Sequence, residues 1–270
     1  MEKPDGRVRP KKRLGQHFLA DPNVTRKIAD ALAAPPGAPV VEIGPGTGAL
    51  TGPLLDRHPH LTALEVDPEA IAHLRARWPA LDVRHADVLD ADWRALAAEK
   101  GGALWVAGNL PYYITSPILF ALLDARDVLA RAVVMIQREV AERIVAPPGS
   151  KTYGGLSVQT QLLARPKLLF KVSRHVFVPK PDVESAVLAL DFGDAPLDAL
   201  TAGGAVDSLA LRRVVRAAFG QRRKALRNSL SALAAEVGRP VPDAFSGLRP
   251  EQLAPPDFVA LARELLGERR

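Results

Sequence analysis

Between residues 40 and 136 the chain alternates short apolar, β-rich runs with helical patterning, and this alternation is its strongest constraint. Strands are expected near Val40–Ile43, Leu61–Val66, Leu81–His85, Leu104–Ala107 and Ala132–Ile136. Asp21-Pro22 and Asp67-Pro68 each place a capping acid before a proline at the first helical position. Strand, helix and strand repeated in this way indicate parallel pairing, with helices on both faces of one sheet. Leu168–Val172 and Ala186–Phe192 add two strands joined by a Pro-containing loop. The expected fold class is therefore α/β, a Rossmann-like arrangement around a seven-stranded, mostly parallel sheet.

Composition shifts after Phe192. Residues 193–206 are rich in Gly, Ala, Asp and Pro and read as a linker. Residues 207–270 carry helical patterning with turns at Gly238-Arg239-Pro240 and Pro255-Pro256, and no strand run. A small C-terminal α-helical domain is expected there, near the lower size limit at which a domain holds a core unaided. The remaining divisions are a basic N-terminal segment, 1–20, and the α/β domain, 21–192.

The formal charge of +6 acquires meaning only from its position. Residues 1–13 carry +4, residues 14–164 carry −3 and residues 165–270 carry +5. An acidic middle can hold a small-molecule site, and basic ends can hold a polyanion. The densest basic stretch runs from Arg212-Arg213 through Arg216 and Arg222-Arg223-Lys224 to Arg227. With no cysteine, disulfides, thiolate metal sites and a cysteine nucleophile are excluded, and a reducing cytoplasm is the expected compartment. The six histidines show no metal or triad spacing, so no metal is expected. No apolar run reaches the roughly 18 residues of a membrane span, and the basic N-terminus lacks the apolar block of a signal peptide.

Glu42-Ile43-Gly44-Pro45-Gly46-Thr47-Gly48 closes the first strand and is expected to open a helix. Gly44 and Gly46 let the backbone approach a ligand closely, where a helix N-terminus offers unpaired amides. The second strand ends in Glu65, whose carboxylate can accept from both hydroxyls of a ribose, and the third is followed by Asp87, which can take the exocyclic amine of an adenine. An adenosine-containing cofactor follows. NAD is disfavoured because Ala49 stands where the third glycine of its wider pattern belongs, and S-adenosyl-L-methionine fits better.

The fourth strand runs into Asn109-Leu110-Pro111-Tyr112. Pro111 biases Leu110 towards an extended conformation, so the Leu110 carbonyl and the Asn109 side-chain carbonyl can converge on one amino group. Tyr112 offers an aromatic face for a planar base. A conjugated exocyclic amine is a poor nucleophile, and two acceptors on its hydrogens stabilise the positive charge that develops as it attacks a sulfonium methyl. A base within a nucleic acid must be swung out of its stack to reach such a pocket. Phe177, in a stiff loop expected to lack a strand, is the candidate to cover the second face.

These residues resemble the ribosomal RNA small-subunit adenine dimethyltransferases, or dimethyladenosine transferases. The similarity is carried by Leu14–Leu19, Glu42–Gly48, Gly108–Leu119, Phe177–Val187 and Ala218–Leu230. It implies a class I S-adenosyl-L-methionine-dependent methyltransferase that dimethylates N6 of two adjacent adenines in the 3′-terminal hairpin loop of 16S rRNA. S-adenosyl-L-homocysteine would be the product, and the partner a 30S subunit or its precursor. The protein is expected to be a monomer. By the same resemblance His17 and Leu19 line the methionine end of the cofactor site, which Gly44, Gly46, Glu65, Asp87 and Asn109 complete. His17 stands where the family often has Asn. Tyr112 and Phe177 would sandwich the base, and Arg222, Arg223, Lys224 and Arg227 would face RNA phosphates. The rivals are a 23S rRNA adenine dimethyltransferase of the macrolide-resistance type and a non-catalytic RNA-binding assembly factor.

Overall fold

Nine strands occur among the described residues of the computed structural model, which are 10–11, 15–193, 195–201 and 208–267. They are β1 (Phe18–Leu19), β2 (Val40–Ile43), β3 (Thr62–Glu65), β4 (Asp82–His85), β5 (Leu104–Asn109), β6 (Leu129–Gln137), β7 (Arg165–Val172), β8 (Phe177–Val178) and β9 (Ser185–Asp191). Seven form one sheet in the order β4-β3-β2-β5-β6-β9-β7, as the apolar runs require. The pairs from β4 to β6 are parallel, and β9 lies antiparallel to β6. β2 and β3 are buried at every position, as expected of strands covered on both faces.

The order reverses beside β2, the first strand of this sheet, whose neighbours are β3 and β5. In an open α/β sheet the crevice beyond the carboxyl ends at such a reversal receives ligands. Both anticipated caps form: Asp21 accepts from the Asn23 amide and Asp67 from the Glu69 amide, each ahead of a proline. The glycine-rich turn, in contrast, does not lead straight into a helix, which begins only at Thr51.

Three further expectations are corrected. The segment around Phe177 contains a strand, because β8 pairs antiparallel with β1 in register Phe18↔Val178 and Leu19↔Phe177. The stretch read as a linker includes a helix, Pro196–Thr201; residues 194 and 202–207 lie outside the described residues, as do 1–9 and 12–14 of the basic N-terminal segment. The division into units also differs, since residues 142–166 group with 194–270 and leave 1–141 with 167–193.

A size constraint accounts for that division. About 65 helical residues offer little core, and the second unit gains the apolar helix Gly155–Leu163 together with Tyr153. Tyr153 is fully buried, donates to the Leu253 carbonyl at 3.0 Å and meets Phe219 edge-on; Phe219 in turn stacks on the buried Phe258 at 5.7 Å. Phe258→Ala should cost about 3–5 kcal/mol through its cavity, whereas Tyr153→Phe should cost about 1–3 kcal/mol through the orphaned carbonyl. Urea unfolding reads both, and an unchanged midpoint for Phe258→Ala would remove this aromatic cluster from the core.

Candidate active site

Sheet register brings the site together. Ile43 pairs with both Leu64 and Gly108, so Gly44, Glu65 and Asn109 emerge side by side at the carboxyl edge. Glu65 pairs with His85, which places Asp87 at the same edge on the next strand. A cavity here is lined by Gly44, Glu65, Val66, Asp87, Val88 and Ile118, and also by Gln16, Pro111 and Tyr113. A smaller cavity is lined by Gly15, His17, Asn109, Leu110 and Tyr112, and Gln16 and Pro111 also line it, so these two side chains border both.

The carboxylates have more partners than their sequence roles suggest. Glu65 is buried; its Oε2 accepts from the Gly46 amide at 3.0 Å, and its Oε1 accepts from the Val66 and Asp67 amides at 2.9 Å each. Three of roughly four acceptor positions are thereby filled, leaving one rather than the two that both ribose hydroxyls would need. The same bonds tether the glycine turn to the end of β3. Gly46 has φ +55°, and a Cβ there would lie 2.9 Å from the Phe18 ring. Asp87 is exposed; its Oδ1 accepts from the Leu89 amide at 2.9 Å in a local turn, while the residue still lines the cavity. The chemistry of this set fits an adenosine cofactor: apolar walls from Val66, Val88 and Ile118, with carboxylates at one edge.

At the smaller cavity the Asn109 Nδ2 donates to the His17 backbone carbonyl at 2.9 Å. A carbonyl only accepts, so this bond fixes the amide orientation and directs the Asn109 Oδ1 elsewhere as an acceptor. The Leu110 amide donates to the Met135 carbonyl at 3.0 Å, which pins the turn to β6. The Tyr112 hydroxyl is 2.6 Å from the Ser185 Oγ. Burial pushes the Tyr112 hydroxyl above its ordinary pKa, so the ring stays neutral. Against it stacks His17, at 5.6 Å between centroids, with its Nδ1 held 2.8 Å from the Pro179 carbonyl oxygen.

Leu19 and Phe177 stand apart from these cavities. Leu19 is 6% exposed and Phe177 3%, and both belong to the hydrophobic core, paired across β1 and β8. The ring found beside Tyr112 is that of His17, not of Phe177. Among the basic residues, Arg223, Lys224 and Arg227 are exposed. Arg222 donates to the Ser150 carbonyl at 3.2 Å and lies 4.0 Å from Glu251, so it is partly occupied within its own unit. Arg222 to Lys224 sit in the turn between the helices Ser208–Gly220 and Leu226–Ser229, not on a continuous basic helix. Sequence reading missed Ser185, Gln16 and the anchoring part of Asp67. Ser185 lies within the Phe177–Val187 segment, and that was its only signal.

A model of the ribosomal RNA adenine dimethylase family matches residues 7–241. The chain belongs to this family. It is 55% identical over 258 residues to the ribosomal RNA small subunit methyltransferase A of Salinibacter ruber, covering 95% of this chain and 85% of the relative. A dimethyladenosine transferase from Plasmodium falciparum superposes with a TM-score of 0.75 at 23% identity, over 91% of this chain and 96% of that one, which supports the fold. The 23S rRNA methyltransferase ErmE has a TM-score of 0.66 at 27% identity, over 92% and 99%. Dimethylase family membership accords with the apolar-walled, carboxylate-edged cavity as a site for S-adenosyl-L-methionine.

One buried acid gives the site a pH signature. Glu42, in β2, accepts from the Thr51 hydroxyl at 2.7 Å and is 1% exposed. Burial pushes its carboxyl up to about 8, with the Thr51 hydroxyl opposing and Glu65 reinforcing the rise. Because the folded pKa exceeds the unfolded one, the unfolded chain loses this proton first as pH rises. Stability therefore falls between about pH 4.5 and 8, by up to about 1.4 kcal/mol per unit from this group. Glu42→Gln should flatten that decline in thermal melts across the window; an unaltered slope would show that Glu42 does not cause it.

Proposed function

We propose that this protein transfers methyl groups from S-adenosyl-L-methionine to N6 of two adjacent adenines in the 3′-terminal hairpin loop of 16S rRNA. The products are N6,N6-dimethyladenosines, and the substrate is a 30S subunit or its precursor. One observation carries the reading: Asn109, whose Nδ2 is taken by the His17 carbonyl so that its Oδ1 is left as the acceptor, lines a cavity with Leu110 and Tyr112, and Gln16 and Pro111 border both this cavity and the carboxylate-edged one. The much greater identity to a small-subunit methyltransferase than to the large-subunit enzyme favours the 16S substrate.

Gly44, Gly46, Glu65 and Asp87 would hold the cofactor, which when bound supplies an electrophilic sulfonium methyl. Tyr112, immobilised through Ser185, gives a flat neutral face for the extruded adenine. The Asn109 Oδ1 and the Leu110 carbonyl accept the N6 hydrogens, which lowers the cost of the positive charge that grows on nitrogen. Pro111 keeps the turn extended, with φ −60° and ψ 132°. No side chain has to act as a strong base, because the alkylated nitrogen is acidic enough to lose its proton to water. Phe177 contributes from the core by fixing β8 against β1.

The decisive measurement is mapping of transferred methyl groups on separate 30S and 50S particles that lack the modification. Label in the two loop adenines of 16S rRNA is expected; label confined to the 50S particle would replace the substrate with 23S rRNA. Asn109→Ala should lower transfer by about 100-fold or more, the scale of losing an aimed acceptor, while RNA binding stays near wild type. Equal activity in that variant would refute the assigned role.

For RNA docking, Arg223, Lys224 and Arg227 are proposed to contact phosphates. Changing all three to Ala should flatten the slope of log affinity against log salt by about two units. Arg222→Ala is expected instead to lower stability, given its bond to Ser150. An unchanged salt slope in the triple variant would make these residues an ordinary solvated surface.

A further inference from the structure

Asp67 is a buried carboxylate, 1% exposed, whose partners come largely from a segment more than fifty residues earlier in the chain. Lys11 Nζ lies 2.5 Å from Asp67 Oδ1 and 3.1 Å from Glu69 Oε2. Gln16 Nε2 donates to Asp67 Oδ2 at 3.3 Å, and Gln16 Oε1 accepts from the Lys11 amide at 2.9 Å. Lys11 and Gln16 thus hold one carboxylate and also each other. Gly15 lies against Tyr113 with φ +56°, where a Cβ would come within 2.9 Å of the ring. Gln16 borders both cavities, and the next residue, His17, supplies the carbonyl that holds Asn109.

An asparagine amide works as an acceptor towards the target amine only in one of its two orientations. Turned by 180°, it would present NH2 to the hydrogens it must accept. The His17 carbonyl selects the productive orientation, but only while residues 16–17 stay in place. Their hold on the edge of β3 is the group of bonds to Asp67.

We propose that Lys11 and Asp67 form a clasp that positions Asn109 for methyl transfer, acting through Gln16 and the His17 carbonyl. This rests on the acceptor role given to Asn109 above. Neither Lys11 nor Asp67 touches the reacting atoms in this scheme, so both are positioning residues. The clasp also couples the two sites, because Asp67 donates its amide to the same Glu65 carboxylate that tethers the glycine turn.

A double-mutant cycle in the full chain tests the clasp. Lys11→Met keeps side-chain length, and Asp67→Asn keeps a residue able to cap the helix Pro68–Arg77. Each single variant should lower kcat about tenfold at saturating cofactor and 30S particles, the scale of a small misplacement of a reacting group. The double variant should be no worse than either, and Lys11→Arg should restore the rate. Hydrogen exchange of the Asn109 side-chain amide, followed by NMR without cofactor or RNA, should accelerate in both single variants.

Independent losses that multiply in the double variant would overturn the proposal. So would a Lys11→Met effect confined to KM for RNA with Asp67→Asn at wild-type rate, which is the behaviour of a phosphate contact. If the unmodified protein itself transfers no methyl to 30S particles, the functional reading fails. The Asn109 exchange rates then decide the clasp alone, with unchanged protection overturning it.

Discussion

The in-register parallel ladder between β2 and its two neighbours is the constraint on which the site depends. Ile43 faces Leu64 on one side and Gly108 on the other, so three strands finish at one level. The residues that follow, Gly44, Glu65 and Asn109, therefore share an edge although 65 positions separate the first from the last. A slip of one residue would turn every side chain of the slipped strand to the opposite face. It would bury Asn109 or remove Glu65 from the turn it tethers. Burial of β2 and β3 at all positions makes such a slip costly, so the apolar core specifies the polar edge.

What the ladder leaves undetermined is the orientation of the side chains along that edge, and this is supplied from outside those three strands. The Asn109 amide is set by a carbonyl ninety-two residues earlier, and the Tyr112 hydroxyl by a serine on β9. The pairing of β1 with β8 fixes the first of these: His17 precedes Phe18, and Pro179, which His17 contacts, follows Val178. A two-stranded pair of four residues would have little stability alone. Here it is secured by Leu19 and Phe177 in the core.

This division explains what could be read from the sequence. Seven runs marked the seven strands: the five inner ones are largely apolar because both their faces are covered, whereas the edge strands β4 and β7 keep charged, partly exposed positions. The caps Asp21 and Asp67 were legible because capping is decided within a few residues. The pair β1–β8 was not, because two residues show no periodicity and the partner lies about 160 positions away. Asp67 illustrates the limit within a single residue: its bond to the Glu69 amide is local and was foreseen, whereas its bonds to Lys11 and Gln16 exist only after folding. The allotment of residues 142–166 was hidden for a related reason. The apolar pattern of Gly155–Leu163 shows that the helix must be buried without stating in which core.

The site is built from groups whose work lies in direction and not in protonation. Asn109 and the backbone carbonyls do not titrate, and Tyr112 is held neutral by burial. The acid displaced towards neutrality, Glu42, is bonded to Thr51 at the start of the helix after the glycine turn and bears on stability. Attack of a conjugated amine on a sulfonium methyl asks mainly for alignment and for acceptors already in place, because both reactants bring their own reactivity. Reorganisation of the acceptors during the reaction would add directly to the barrier. Hydrogen bonds to His17 just before β1, to β6 and to β9 converge on one four-residue turn for that reason: each removes a rotation that Asn109, Leu110 or Tyr112 would otherwise have to lose at the moment of transfer.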